Sequence, residues 1–187
     1  TDPTTETLQA APDFTVYDKE GNPVQLSQFF GKPIVLNFWA SWCGPCQMEM
    51  PDFQKYYESH GDKVNFVIVN LTDGQQETVE SASAFIAEKG YTFPVLYDTQ
   101  AQAATTYSVY SLPTTYFIDA QGNVAAQATG AIDAATLQKG IDMIKDRHFS
   151  PKVVSFPQEA ILWNLRIQRS FATHFWIWAF PALTSWS

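Results

Sequence analysis

Apolar and polar positions change period several times along the chain, and each change marks an element. Phe14-Thr15-Val16-Tyr17 alternates, Asp18-Lys19-Glu20-Gly21-Asn22 reads as a turn, and Val24 and Leu26 resume the alternation. This is the pattern of a β-hairpin. Ser27 to Phe30 forms one helical turn closed by Gly31. Ile34-Val35-Leu36-Asn37-Phe38-Trp39 is apolar on both faces, as expected of a central parallel strand. A helix follows from about Pro45 to Ser59, with Pro51 inside it as a potential kink. Val64 to Leu71 predicts a second buried strand. Thr72 or Asp73 would cap the next helix, whose core face holds Val79, Ala82, Phe85 and Ile86 and which Gly90 ends. Phe93 to Tyr97 predicts a short strand, and Asp98 or Thr99 opens a helix to about Tyr107. Thr114 to Asp119 predicts a strand, Gln121-Gly122-Asn123 a hairpin turn, and Val124 to Thr129 an antiparallel return. Asp133 caps a last helix with Leu137, Ile141 and Ile144 on one face. Hairpin, βαβ, an inserted αβα stretch and ββα together predict an α/β fold: a mixed central sheet flanked by helices.

The length, 187 residues, suits one domain with an appendage, and 45% hydrophobic content is enough for a sizeable core. The net charge is −8, which argues against nucleic acid as a partner, because phosphate binding needs a basic surface. The first eleven residues are polar and read as a flexible stalk behind a removed leader or lipid-anchored segment. Residues 12–149 form the predicted domain. Residues 150–187 are an atypical aromatic extension: they hold Trp163, Trp176, Trp178 and Trp186 and no Gly or Asp. Phe171 to Phe180 is apolar, but Pro181 follows and the run is shorter than the roughly 20 residues a membrane span needs. A non-native or incidentally packed extension is the leading reading of this tail, ahead of an interfacial membrane contact.

The candidate chemistry lies at the end of the central strand. Both cysteines fall in Trp42-Cys43-Gly44-Pro45-Cys46, where the strand stops and a helix should begin. Two thiols at this spacing lie on one side of the first helical turn, within reach of a disulfide. Unpaired backbone N–H groups and the helix dipole favour negative charge at the first of them. Because the thiolate is the reactive form, Cys43 is the expected nucleophile. A structural zinc site needs four ligands, and this chain has no second cysteine pair; His60, His148 and His174 lie far apart. A purely structural disulfide of this size would restrain the unfolded chain little. Redox chemistry is therefore preferred, with the Cys43–Cys46 disulfide as the redox group and no metal or other cofactor.

The motifs then agree in order and spacing with a known family. Ala11-Pro12-Asp13-Phe14, Gly31-Lys32-Pro33, Trp42 to Cys46, Glu49-Met50-Pro51, and Leu112-Pro113-Thr114-Thr115-Tyr116-Phe117-Ile118-Asp119 with Gly122 resemble the thioredoxin superfamily. More narrowly, they resemble the extracytoplasmic TlpA/ResA thiol–disulfide oxidoreductases over roughly residues 10–148. The resemblance implies a thioredoxin-like fold with an N-terminal hairpin and an inserted αβ segment. It implies that Cys43 attacks a substrate disulfide and that the more buried Cys46 resolves the mixed disulfide. It makes Pro113 a cis proline facing the pair, with Trp42, Gly44 and Pro45 as active-site support. Leu112 and Gly130 would line the substrate groove, although Gly130 also suits an ordinary turn. Trp42 would cover the site, whereas Trp39 suits core packing as well as function.

Two departures from the superfamily bear on mechanism. Cytoplasmic thioredoxins carry a buried acid on the central strand, and here the matching residue is Asn37, which does not titrate. The acceptor for the Cys46 proton is then water or, as a weaker candidate, Glu49, which also reads as an ordinary solvated helix charge. Gly44 and Pro45 stand between the cysteines, so no local carboxylate raises the Cys43 pKa, and no neighbouring His or Lys stabilises its thiolate further. This favours a reductant over a strong oxidant. The implied partners are disulfide-containing exported proteins, such as apocytochrome c, and a membrane thiol-transfer protein as electron donor. The implied location is extracytoplasmic, in the periplasm or on the outer face of the cell membrane. The start of the chain is also shared with peroxiredoxins, which makes a thiol peroxidase the enzymatic alternative. A thioredoxin-like binding module without turnover is the other.

Overall fold

The computed structural model describes residues 9–145. Its elements are β1 (Gln9–Ala10), β2 (Thr15–Tyr17), β3 (Pro23–Gln25), β4 (Ile34–Trp39), α1 (Gly44–His60), β5 (Asn65–Asn70), α2 (Val79–Lys89), β6 (Val95–Tyr97), α3 (Gln102–Thr106), β7 (Thr114–Ile118), β8 (Asn123–Thr129) and α4 (Ala134–Lys145). The eight strands form one sheet in the order β1-β8-β7-β4-β5-β6-β2-β3. β4 pairs parallel with β5 and antiparallel with β7, so the sheet is mixed. β4 is buried along its whole length, as its two apolar faces require.

The sheet divides two hydrophobic clusters, and strand alternation decides which residue joins which. Val35 and Trp39 of β4, Phe66 and Ile68 of β5 and Phe117 of β7 pack with Met50 and Phe53 of α1, Ala82 of α2 and Leu137 of α4. Ile34, Leu36, Phe38, Val67, Val69, Tyr116 and Ile118 pack on the other side with Phe14, Ala103 and Tyr107. Because side chains alternate along a strand, Asn37, Asn70 and Thr115 fall on the face that carries α1, α2 and α4. All three are buried.

Three sequence expectations need correction here. The first eleven residues are not wholly a stalk. β1 pairs with β8, Ala11 is buried, and its N–H donates to the Gly122 carbonyl at 2.8 Å. The outer edge of β8 offers unpaired backbone groups, and residues 9–11 satisfy some of them. The second helix is not capped by Thr72 or Asp73. Its cap is Thr78, in a reciprocal pair with Ser81. Asp73 instead accepts from the N–H groups of Gln75 and Glu77 and rounds a loop. The third helix starts at Gln102, later than expected, after Ala101 adopts a left-handed φ of 52°. Asp98 serves that helix from a distance, its carboxyl accepting from the N–H groups of Ala103 and Ala104. The hairpin, the paired central strands and the final helix capped by Asp133 are as expected. Residues 150–187 lie outside the described residues, as do the readings of them.

Candidate active site

α1 begins immediately after Cys43, which occupies its N-cap position. Cys43 and Cys46 form a disulfide with their Cα atoms 5.2 Å apart. The Cys46 N–H points at Cys43 Sγ, 3.2 Å away. This is one of the helix's unpaired donors, and in the dithiol form it is placed to stabilise a thiolate at Cys43. Pro45 in the first turn costs the helix nothing there, because its missing N–H would have had no partner. Both sulfurs are buried, Cys46 completely and Cys43 at 4% exposure.

Trp42 is half exposed and, with Cys43, Gly44 and Pro45, borders a groove of about 540 Å³. Leu71 and Asp73 form part of its lining from one side, and Tyr110 and Leu112 from the segment before β7. The Leu112–Pro113 peptide is cis. Pro113 is buried, and its carbonyl accepts from the N–H of Gly130 at 2.8 Å. Leu112 thus lines the groove, while Gly130 braces the proline loop and is not among the groove-lining residues. Trp39 is a core residue, fully buried against Phe85.

The structure overturns the reading of Glu49 as a solvated charge. Its side chain is 2% exposed. Asn37 Nδ2 donates to its Oε1 at 2.8 Å, and the Ile132 N–H donates to its Oε2 at 3.0 Å. Asn37 Nδ2 also reaches Thr115 Oγ1 at 3.0 Å, so Asn37 links α1, β4 and β7. Burial pushes its pKa up from 4.5 to about 7, against the pull of the two hydrogen bonds. The signal was present in the sequence. Cys46, Glu49, Met50 and Phe53 stand at i, i+3, i+4 and i+7, the spacing of one helix face, and all four are buried. Another buried acid, Glu77, lies in the polar Asp73-Gly74-Gln75-Gln76-Glu77 stretch, where no periodicity could reveal it.

This geometry meets its counterparts among known proteins. The model of the AhpC/TSA family matches residues 7–127. The chain belongs to the AhpC/TSA family. Thiol-disulfide oxidoreductase ResA of Geobacillus kaustophilus is 35% identical over 136 residues, 72% of this chain and 76% of its own length. The structure of StoA from Bacillus subtilis aligns with a TM-score of 0.60 at 29% identity, covering 69% of this chain and 96% of that one. The pneumococcal exposed lipoprotein thioredoxin Etrx1 of Streptococcus pneumoniae aligns at 0.59 and 30% identity, covering 70% and 98%. The ResA-like membership and the thioredoxin-like fold expected from the motifs are both borne out.

Proposed function

We propose that this AhpC/TSA-family protein is a thiol–disulfide oxidoreductase that reduces disulfides of exported proteins. The observation that carries this reading is the Cys43–Cys46 disulfide at the start of α1, with the Cys46 N–H aimed at Cys43 Sγ. In the dithiol form, the Cys43 thiolate attacks one sulfur of a client disulfide. A mixed disulfide forms, and the other client sulfur leaves as a thiolate that takes up a proton. Cys46 then gives up its proton and attacks Cys43 Sγ. The second client thiol is released and the protein disulfide forms, so two electrons have passed to the client. Glu49 is the acceptor we assign for the Cys46 proton. It lies one helical turn further along the same face, and a carboxyl titrating near pH 7 is half available as a base at neutral pH. The Cys43–Cys46 pair is the only redox group this cycle needs. A membrane thiol-transfer protein with a lower potential would restore the dithiol.

The exported location rests on the motif resemblance to the extracytoplasmic TlpA/ResA family and on the likeness to the exposed lipoprotein Etrx1. No helix among the described residues is long and apolar enough to cross a membrane. Insulin reduction by the pre-reduced protein tests the activity, with peroxide consumption measured beside it. Cys43→Ser should abolish insulin reduction, and Cys46→Ser should stop the cycle at a trapped mixed disulfide. Turnover of peroxide without insulin reduction would refute the assignment. An equilibrium potential at the oxidising end of the thioredoxin-fold range would reverse the proposed direction.

A further inference from the structure

Glu77 is fully buried, yet among the described residues the one ion pair is Lys89–Glu88, so no cation lies against it. A buried carboxyl without a cation must be satisfied by hydrogen bonds. Glu77 Oε2 accepts from the Ser41 N–H at 3.0 Å and from Ser41 Oγ at 2.7 Å. Its Oε1 accepts from Asn70 Nδ2 at 3.3 Å and from Ser81 Oγ at 3.4 Å. The shortest of these bonds all go to Ser41, two residues before the nucleophile.

Ser41 is gripped from the other side as well. Gln47 Nε2, on the first turn of α1, donates to its carbonyl at 2.6 Å. The turn that delivers Cys43 to the helix therefore has both its N–H and its carbonyl fixed by side chains. One of these side chains comes from the redox helix and the other from the loop between β5 and α2. Glu77 itself is held: its N–H donates to Asp73 Oδ1 at 2.9 Å, and its carbonyl accepts from the Gly74 N–H at 2.9 Å. Leu71, Thr72 and Asp73 of that segment also line the groove beside Cys43.

We infer that Glu77 is a positioning residue for the nucleophile: it clamps Ser41 so that Cys43 Sγ stays on the Cys46 N–H. A thiolate at Cys43 depends on that donor, because it sits at the helix N-terminus within its reach. Releasing the clamp lets the turn move and takes the Cys46 N–H off Cys43 Sγ, which weakens thiolate stabilisation and raises the thiol pKa; Asp73 and Asp98, the carboxyls that share the groove with Cys43, are unchanged in every variant below. A reduced form that is harder to ionise reacts more slowly at neutral pH and is less favoured against the disulfide. The potential then moves toward more reducing values. The β5–α2 loop thus sets the chemistry of the pair as well as one wall of the groove.

This inference rests on the redox reading of the pair, and the two fail separately. Inactivity of the wild-type protein on insulin counts against that reading. The clamp is judged by alkylation of Cys43 with iodoacetamide as a function of pH and by the equilibrium potential against glutathione. Glu77→Ala should slow alkylation at pH 7 at least fivefold, shift the profile to higher pH and lower the potential. Glu77→Gln, which keeps one oxygen for Ser41, should recover most of the loss. Ser41→Ala removes only the hydroxyl contact, should fold in any case, and should show a smaller shift in the same direction. Asn65→Ala loses a hydrogen bond to the Phe29 carbonyl, away from the pair, and serves as the stability control. Its profile should match the wild type even where its melting temperature falls. The clamp is overturned if Glu77→Ala, or Ser41→Ala should Glu77→Ala not fold, keeps the wild-type profile and potential. It is equally overturned if Asn65→Ala moves both as far.

Discussion

Replacing Glu49 by Gln should change how stability and turnover depend on pH, in opposite senses. The folded protein holds the Glu49 proton up to about pH 7, against 4.5 for the ordinary carboxyl. A raised pKa in the folded state means the protonated form is the one that folding favours. Its contribution is fully present below about pH 4.5 and is lost as pH rises through 7. A shift from 4.5 to about 7 corresponds to roughly 3 kcal/mol at about 1.4 kcal/mol per unit. Gln is nearly isosteric, can accept from Asn37 Nδ2 and does not titrate. The stability of Glu49→Gln relative to wild type should therefore rise by about 3 kcal/mol between pH 4.5 and pH 8.5. Urea unfolding of the disulfide forms at several pH values measures this directly. Insulin reduction by the same variant should fall at neutral pH and lose the inflection near pH 7, because Cys46 no longer has an internal base. Parallel stability curves for the two proteins would show that the carboxyl titrates normally and would remove the basis for its catalytic role.

Two substitutions test the packing and the groove. Gly140 of α4 faces Phe117, and an added Cβ would overlap the ring edge. Gly140→Ala should destabilise by about 1–2 kcal/mol in urea: overpacking costs about 1–3, and better helix propensity returns up to about 1. A more stable variant would mean that the α4–β7 contact is looser than described. Tyr110 is 93% exposed and borders the groove. Tyr110→Ala should raise KM for protein disulfides several-fold, leaving kcat unchanged and stability within about 0.5 kcal/mol. An unchanged KM would place client binding elsewhere.

The redox pair, the central strands and the final helix were legible because each has a local cause: a motif, a two-faced apolar run, or a capped 3.6-residue stripe. What the sequence concealed was decided by partners distant in the chain. Residues 9 and 10 pair with the start of β8, over a hundred residues away in the chain, which no local pattern announces. Asp73 looked like a helix cap because its residue type fits one, but its carboxyl rounds the loop, and Thr78 with Ser81 makes the stronger reciprocal cap. Glu77 sits in a run of polar residues, where burial comes wholly from tertiary packing. Glu49 is the instructive case: its position on the Cys46–Met50–Phe53 stripe pointed inward, while its charge pointed outward. The stripe prevailed because Asn37 and the Ile132 N–H wait inside.

That arrangement also accounts for Asn37. Val35, Asn37 and Trp39 share the face of β4 that α1 covers, so any side chain at 37 looks toward the redox helix. An acid there would confront Glu49, and two close carboxyls cannot both ionise cheaply. An asparagine instead supplies a donor, and its Nδ2 bridges Glu49 and Thr115. The titrating group therefore sits on α1 itself, one turn from Cys46. Its distance from the thiol is then set by helix geometry, not by how helix and sheet pack. The sheet keeps the part that need not move: a neutral hydrogen-bond donor that holds the carboxyl in place in either protonation state.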